Sequence, residues 1–302
     1  MHPIARRRAN PSLSPLLIAA LASLAPAAAA VAQVDQLARA PSRFAMFEGN
    51  RVHFKSLGTG RTAVVFVHCW ACDLTVWRQQ IDAVAGRTRV VLLDLPGHGR
   101  SAKPEVEYSM AYFARAVDAV LEAAEVSRAV LVGHSMGTPV IREYYRTYPA
   151  KVLGLVVVDG SLRRPPGDSA AHAAMIERFD GPGYRAALAA SIEGMYPDPS
   201  RKAVRDAVLA MARGTPQHVV AGAMRGMLDP GIWRDDPIRV RTLVVVAKGP
   251  NWPPDYRAYV ERLVPGVAYE EMEGVSHFLM LEQPDEFNAR LIRFLAELGV
   301  LR

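Results

Sequence analysis

Six apolar runs punctuate the chain: AVVFV (63–67), VVLLD (90–94), AVLVG (129–133), LGLVVVD (153–159), TLVVVA (242–247) and a weaker VAYEEM (267–272). The first five carry no polar alternation, which is the pattern of parallel strands buried on both faces. Between them, MAYFARAVDAVLEAAE (110–125) and PDEFNARLIRFLAELG (284–299) repeat apolar positions at helical spacing. This strand–helix alternation predicts an α/β fold with a mostly parallel, doubly wound sheet. Ahead of it, RFAMFEGNRVHFKSLGTG reads as a β-hairpin turned at Glu48-Gly49-Asn50, an antiparallel lead-in to the sheet.

The rhythm breaks between about Ser161 and Pro237. That stretch holds no strand-like run, only helical segments punctuated by Pro and Gly. A helical insertion between two strands of a parallel sheet is expected over the carboxyl ends of the strands, where ligands bind. Residues 161–237 are therefore expected to form a cap. Its methionines, Met175, Met195, Met211, Met224 and Met227, are candidates for lining an apolar pocket, because thioethers adapt to irregular shapes. Ordinary helix packing accounts for them equally well.

The N-terminus follows a different pattern. Arg6, Arg7 and Arg8 precede an alanine-rich apolar stretch from Leu16 to about Ala32, and Ala30 and Ala32 before Gln33 form an A-x-A cleavage site. That order predicts a signal peptide over residues 1–32, a remaining domain over 33–302, and a periplasmic or secreted protein. Pro26 interrupts the apolar stretch, and no later segment is long and apolar enough to span a bilayer. The net charge of +6 falls to +3 once the three arginines of the leader are set aside. No Lys/Arg stripe with interleaved aromatics remains, so a nucleic-acid partner is not expected.

The chemistry concentrates in VLVGHSMGTPVIREYY. Gly133-His134-Ser135-Met136-Gly137 fits G-x-S-x-G directly after a buried strand and before a helical run. A sharp strand-to-helix turn there holds the serine hydroxyl above the sheet, and the flanking glycines let strand and helix approach closely. A serine needs a base to take its proton. His277, on a loop after the last strand and before the terminal helix, stands where the chain order serine, acid, histidine puts one.

With these residues in view, the chain resembles the α/β-hydrolase superfamily from about Phe44 to the C-terminus. The matching segments are HCW after the first long strand, DLPGHGRS (94–101), GHSMG (133–137) and GVSHFLMLEQPDEF (274–287). The resemblance implies an α/β-hydrolase fold with a helical cap and serine-type chemistry, with Ser135 as nucleophile and His277 as base. It implies structural roles for His98 and His134. In that family the loop after the first long strand reads His-Gly-x, and the N–H of x helps to hold the oxyanion. Carried over, x is Trp70, acting with the N–H of Met136. A serine nucleophile also separates this chain from the dehalogenase and epoxide-hydrolase branches, which use Asp there.

Two departures from the family pattern matter. Cys69 stands where the family has Gly, three residues before Cys72, and these are the only cysteines. A zinc site would want four ligands, so no metal is expected, and no cofactor either. A redox dithiol remains open, as does a Cys69–Cys72 disulfide that stiffens the oxyanion loop in an oxidising compartment. The acid is the second departure. The segment TLVVVAKGPNWPPD offers no Asp until Asp255, while Asp159 ends the preceding strand, a position some members use. Either would reach the imidazole from the carboxyl edge of the sheet.

The expected function is hydrolysis of a small carboxylic ester or lactone through an acyl-enzyme. A carbon–carbon bond hydrolase, a cofactor-free perhydrolase and a non-catalytic small-molecule receptor are the alternatives.

Overall fold

The computed structural model describes residues 35–196 and 198–301. The leader predicted over 1–32 lies outside these residues. Eight strands form one sheet: β1 (Arg43–Phe47), β2 (Asn50–Leu57), β3 (Thr62–Val67), β4 (Arg89–Leu93), β5 (Arg128–His134), β6 (Val152–Val158), β7 (Thr242–Ala247) and β8 (Ala268–Met272). Their order is β1-β2-β4-β3-β5-β6-β7-β8. The β1–β2 and β2–β4 pairs are antiparallel, and every other pair is parallel.

The expected α/β architecture is present, and burial explains why its strands were so plain in the sequence. From Ala63 to Val67, from Ala129 to His134 and throughout β7, every residue is buried. Strand β8 reads more weakly because it is an edge, and charged side chains on an edge discourage pairing with another chain. Its Glu270 is paired with Arg290 and Arg293 of the Pro284–Glu297 helix. The lead-in hairpin turns at Glu48 and Gly49, both at positive φ (47° and 76°), which is the two-residue geometry that matches strand twist.

The order of the strands reverses around β3: the chain leaves it for β4 on one side, then returns past it to β5 on the other. Such a switch point opens a crevice at the carboxyl ends of the strands. The segments after β3, β5, β6 and β8 therefore converge on one edge. Among the described residues between β6 and β7 there is no strand but four α-helices, Ser169–Asp180, Tyr184–Gly194, Lys202–Ala212 and Gln217–Leu228.

Both ends of this insertion are fastened to the helix that follows β5, Gly137–Thr147. The Arg142 guanidinium, 2% exposed, donates to the Leu162 carbonyl at 2.8 Å and to the Arg234 carbonyl. Arg146 donates to the Ile232 carbonyl at 2.8 Å and pairs with the Asp236 carboxylate. The same helix thus begins at the G-x-S-x-G turn and anchors the insertion. Among the described residues, no helix is long and apolar enough to cross a membrane.

Candidate active site

Ser135 lies between β5 and the Gly137–Thr147 helix with φ +52°, a left-handed conformation that side chains other than glycine resist. The surroundings leave it no alternative. A Cβ at Gly133 would stand 2.5 Å from the Gly137 carbonyl oxygen, and one at Gly137 would stand 2.5 Å from that of Val67. Strand, helix and neighbouring strand touch backbone to backbone. The Ser135 N–H donates to the Val158 carbonyl (3.0 Å) and its own carbonyl accepts from Thr138 (2.9 Å), so the turn is pinned on both sides.

Asp159 follows β6, also at positive φ (41°). Its N–H is fixed by the Val245 carbonyl at 2.8 Å. One carboxylate oxygen accepts from the Ala247 N–H at 2.7 Å, and the other accepts from His277 Nδ1–H at 2.7 Å. Both oxygens are thus occupied, and the imidazole is held in the tautomer that leaves Nε2 free to accept a proton. Asp255 sits elsewhere: it forms a two-pronged pair with Arg163 at 2.8 and 3.1 Å, with its side chain 67% exposed. Of the two carboxylates open in the sequence, the structure brings Asp159 to the histidine and not Asp255.

His277 is supported from behind by His134. The Nε2–H of His134 donates to the His277 carbonyl at 2.8 Å, and the two rings are 4.8 Å apart. Burial and the neighbouring His277 hold the His134 pKa well below the usual imidazole range, so it remains neutral. Phe278 presents its edge to the His277 ring and is in turn stacked on Tyr196.

Cys69 and Cys72 are joined as a disulfide across a tight turn, with Cα atoms 5.4 Å apart and the Cys72 N–H donating to the Cys69 carbonyl at 3.3 Å. Trp70 and Ala71 form its tip, and Ala71 has φ +55°. Among the described residues, neither the Trp70 nor the Met136 N–H meets a protein acceptor. The Trp70 indole reaches the cap, donating to the Val220 carbonyl at 2.9 Å and meeting Phe179 edge-on. Ala71, Ser135 and Asp159 are three of the five described non-glycine residues at positive φ. Strain of about 1–3 kcal/mol at each such residue is typical of functional sites.

His68, first residue of the HCW segment, has a structural task that its letter alone does not reveal. It is fully buried, donating through Nδ1 to the Cys69 carbonyl (2.7 Å) and accepting the Leu95 N–H on Nε2 (2.9 Å). Its position before the Cys-Trp pair was the available signal. Burial lowers its pKa, and burial holds that of His98 at about 3.

Two cavities flank the serine–histidine pair. One, about 230 Å³, is apolar and lies under the cap, lined by Met175, Met195, Met224 and Met227 with Phe179 and Phe278. Met211 is not on its wall; it packs, half-buried, against the core. Arg178 is the one fixed charge among its lining residues. The other, about 260 Å³, is more open and is lined by Trp233, Trp252, Asn251 and Ser161. Ser135, His277 and Met227 belong to both. A larger groove of about 870 Å³, between Glu105–Tyr108 and Gln217–Asp229, holds neither the serine nor the histidine.

A second Ser–His–Asp alignment exists in Ser42, His53 and Asp94, with His53 at 2.9 Å from Ser42 Oγ and 2.7 Å from Asp94. There Asp94 also accepts the N–H groups of Leu74 and Arg100, and Ser42 is covered by the Arg100 guanidinium. These bonds brace β2 against neighbouring loops. Among the described residues, no group of three or more His, Cys, Asp or Glu is placed to hold a metal ion.

A profile of the alpha/beta hydrolase family matches residues 64–290. A dihydrolipoyllysine-residue acetyltransferase component of an acetoin cleaving system from Cupriavidus necator is 27% identical over 302 residues, covering 92% of this chain and 79% of the relative. A non-heme chloroperoxidase from Streptomyces lividans is 27% identical over 272 residues, covering 82% of this chain and 96% of the relative. Among solved structures, Est816, described as an N-acyl homoserine lactone degrading enzyme, matches with TM-score 0.69 and 26% identity over 83% of this chain and 100% of its own. The profile match takes in the serine turn, the Asp159 strand end and the histidine loop, and the chain therefore belongs to the alpha/beta hydrolase family.

Proposed function

We propose that the protein is an exported serine hydrolase of small carboxylic esters or lactones. The observation that carries this reading is the 2.7 Å bond from His277 Nδ1 to Asp159, with Ser135 held on a strained turn and lining the same two cavities as the histidine. The N-terminal order of arginines, apolar stretch and A-x-A site supports export.

In this reading His277 Nε2 takes the Ser135 proton as Oγ attacks the substrate carbonyl. The imidazolium that forms is stabilised by Asp159. Negative charge on the carbonyl oxygen is met by the unpartnered N–H groups of Trp70 and Met136, each such donor contributing about 3 kcal/mol to the transition state. His277 returns its proton to the leaving oxygen, leaving an acyl-serine. Water then gives its proton to His277 and its oxygen to the acyl carbon, which releases the acid and restores the hydroxyl.

The division of space supports short acyl groups. The 230 Å³ cavity under the cap is apolar and small, and fits an acyl chain. The second, more open cavity with its two tryptophans fits an alcohol or ring portion on the other side of Ser135. Likeness to the lactone-degrading Est816 supports lactones among the candidates. The chloroperoxidase relative raises a second reading, in which hydrogen peroxide intercepts the same acyl-serine to give a peracid. A panel of p-nitrophenyl esters and acyl lactones, run with and without peroxide beside Ser135→Ala, tests both. Turnover lost in Ser135→Ala supports the serine mechanism, and turnover that persists there overturns it.

A further inference from the structure

We propose that the Cys69–Cys72 disulfide is a positioning element for the oxyanion site, and that its reduction lowers turnover by releasing the Trp70 amide from its working direction. The proposal rests on the serine hydrolase reading above and adds a control point to that same site.

The argument starts at Ala71. At φ +55° it occupies a region that glycine enters freely and an L-alanine resists. The turn is held by one hydrogen bond, Cys72 N–H to the Cys69 carbonyl, at a long 3.3 Å. The covalent bond between the two side chains is what closes it. Trp70 stands immediately before the strained residue, and its main-chain N–H meets no protein acceptor among the described residues.

Both sides of Trp70 are held by the fold. Its indole is fixed to the cap through Val220 and Phe179. The Cys69 carbonyl is fixed by buried His68. With the disulfide open, Ala71 can relax to negative φ and turn the Trp70–Ala71 peptide. The Cys69 carbonyl and the Trp70 N–H belong to one planar peptide unit, held at its carbonyl by His68 and by the Cys72 N–H. Opening the turn removes the second hold, and the Trp70 N–H tilts as the plane pivots on the His68 bond. An oxyanion donor is sensitive to such a change, since its worth depends on its direction. The bond between Cys69 and Cys72 makes the geometry of this loop depend on thiol–disulfide exchange.

Reduction by a dithiol transfers two electrons and two protons. The sulfur–sulfur bond breaks, two protein thiols form, and the reagent closes to its own cyclic disulfide. Dithiothreitol titration of the wild-type protein should produce two thiols per chain. In parallel, kcat for a p-nitrophenyl ester should fall by about ten- to a hundredfold with KM changed less than twofold, a fraction of the 10²–10³ lost with a whole donor. Oxidised glutathione should restore it. Cys69→Ser/Cys72→Ser should stay at the reduced level and ignore the reductant. Ala71→Gly is the more telling variant: glycine accepts the left-handed conformation without the bond, so reduction should cost it less than threefold.

Amide hydrogen exchange reads the loop whether or not any ester is turned over. Reduction should accelerate exchange across residues 69–72 by about tenfold or more and leave β3 unchanged. Two titrated thiols with unchanged kcat and unchanged exchange would overturn the proposal, as would Ala71→Gly losing as much as wild type. A protein that hydrolyses nothing yet shows the exchange response would count against the hydrolase reading and not against this loop.

Discussion

His134, the residue before Ser135, donates its Nε2–H to the main-chain carbonyl of His277 at 2.8 Å. The turn that presents the proposed nucleophile therefore also holds the loop that presents the proposed base, through a neutral ring with no exposure to solvent. Replacing it with leucine keeps bulk and removes the donor. His134→Leu should lower kcat by about tenfold, the worth of a hydrogen bond near 1.4 kcal/mol, with little change in KM. Steady-state kinetics on a p-nitrophenyl ester checks this, and an unchanged kcat would show that the contact is only packing.

Asp159 and Asp255 separate cleanly in the structure, one on the imidazole and the other on Arg163. Asp159→Asn should lower kcat by about 10⁴ through the wrong histidine tautomer, with the fold intact. Asp255→Asn should stay within about twofold of wild type, since it removes only a solvent-screened ion pair with Arg163 that does not touch the imidazole. Paired kinetics and circular dichroism of the two variants distinguish them. Comparable losses in both would move the acid away from Asp159.

How far the sequence could reach is clear at these residues. The inner strands were legible because they are buried on both faces, and a continuous apolar run such as 63–67 has little else to be. The serine turn was legible because the glycines on either side are demanded by backbone packed so closely that an added Cβ would stand 2.5 Å from a main-chain oxygen. The choice of acid was not, because both aspartates follow strands at the same edge of the sheet. Only the three-dimensional course of residues 248–255 decides which one faces His277. Arg142 was equally hidden: its partners, Leu162 and Arg234, are main-chain carbonyls distant in sequence, and a carbonyl leaves no mark in the letters.

Arg142 yields a separate prediction. A buried guanidinium that bridges carbonyls at both ends of the cap leaves each on a single longer bond when it is removed, Leu162 to the Tyr259 hydroxyl (3.3 Å) and Arg234 to Arg146 (3.2 Å). Arg142→Met should reduce stability by about 2–4 kcal/mol, in the range seen when one partner of a buried polar contact is lost. KM should rise as the cap loosens. Urea unfolding and substrate saturation curves measure the two effects, and a loss under about 0.5 kcal/mol would contradict the clasp.

Acid should destabilise the protein before its carboxylates titrate. Burial lowers the pKa of His68 and His134 and holds that of His98 at about 3, so the folded chain refuses protons that the unfolded chain accepts. Their contribution is full above the unfolded value of 6.5 and is lost as pH falls below it, toward the folded values. Each histidine contributes a slope of about 1.4 kcal/mol per pH unit there. Together the three give an upper limit of about 4 kcal/mol per unit. The urea midpoint should therefore fall steadily from pH 7 to pH 5. A flat midpoint over that interval would show that these rings take up protons in the fold.

The most direct measurement is the mass of the protein after reaction with a fluorophosphonate, with the modified peptide identified. One adduct per chain, located on Ser135, abolished in Ser135→Ala and slowed by at least a hundredfold in His277→Ala, is the predicted result. An unmodified Ser135, or labelling at the same rate without His277, would contradict the claim that this hydroxyl is activated by that imidazole.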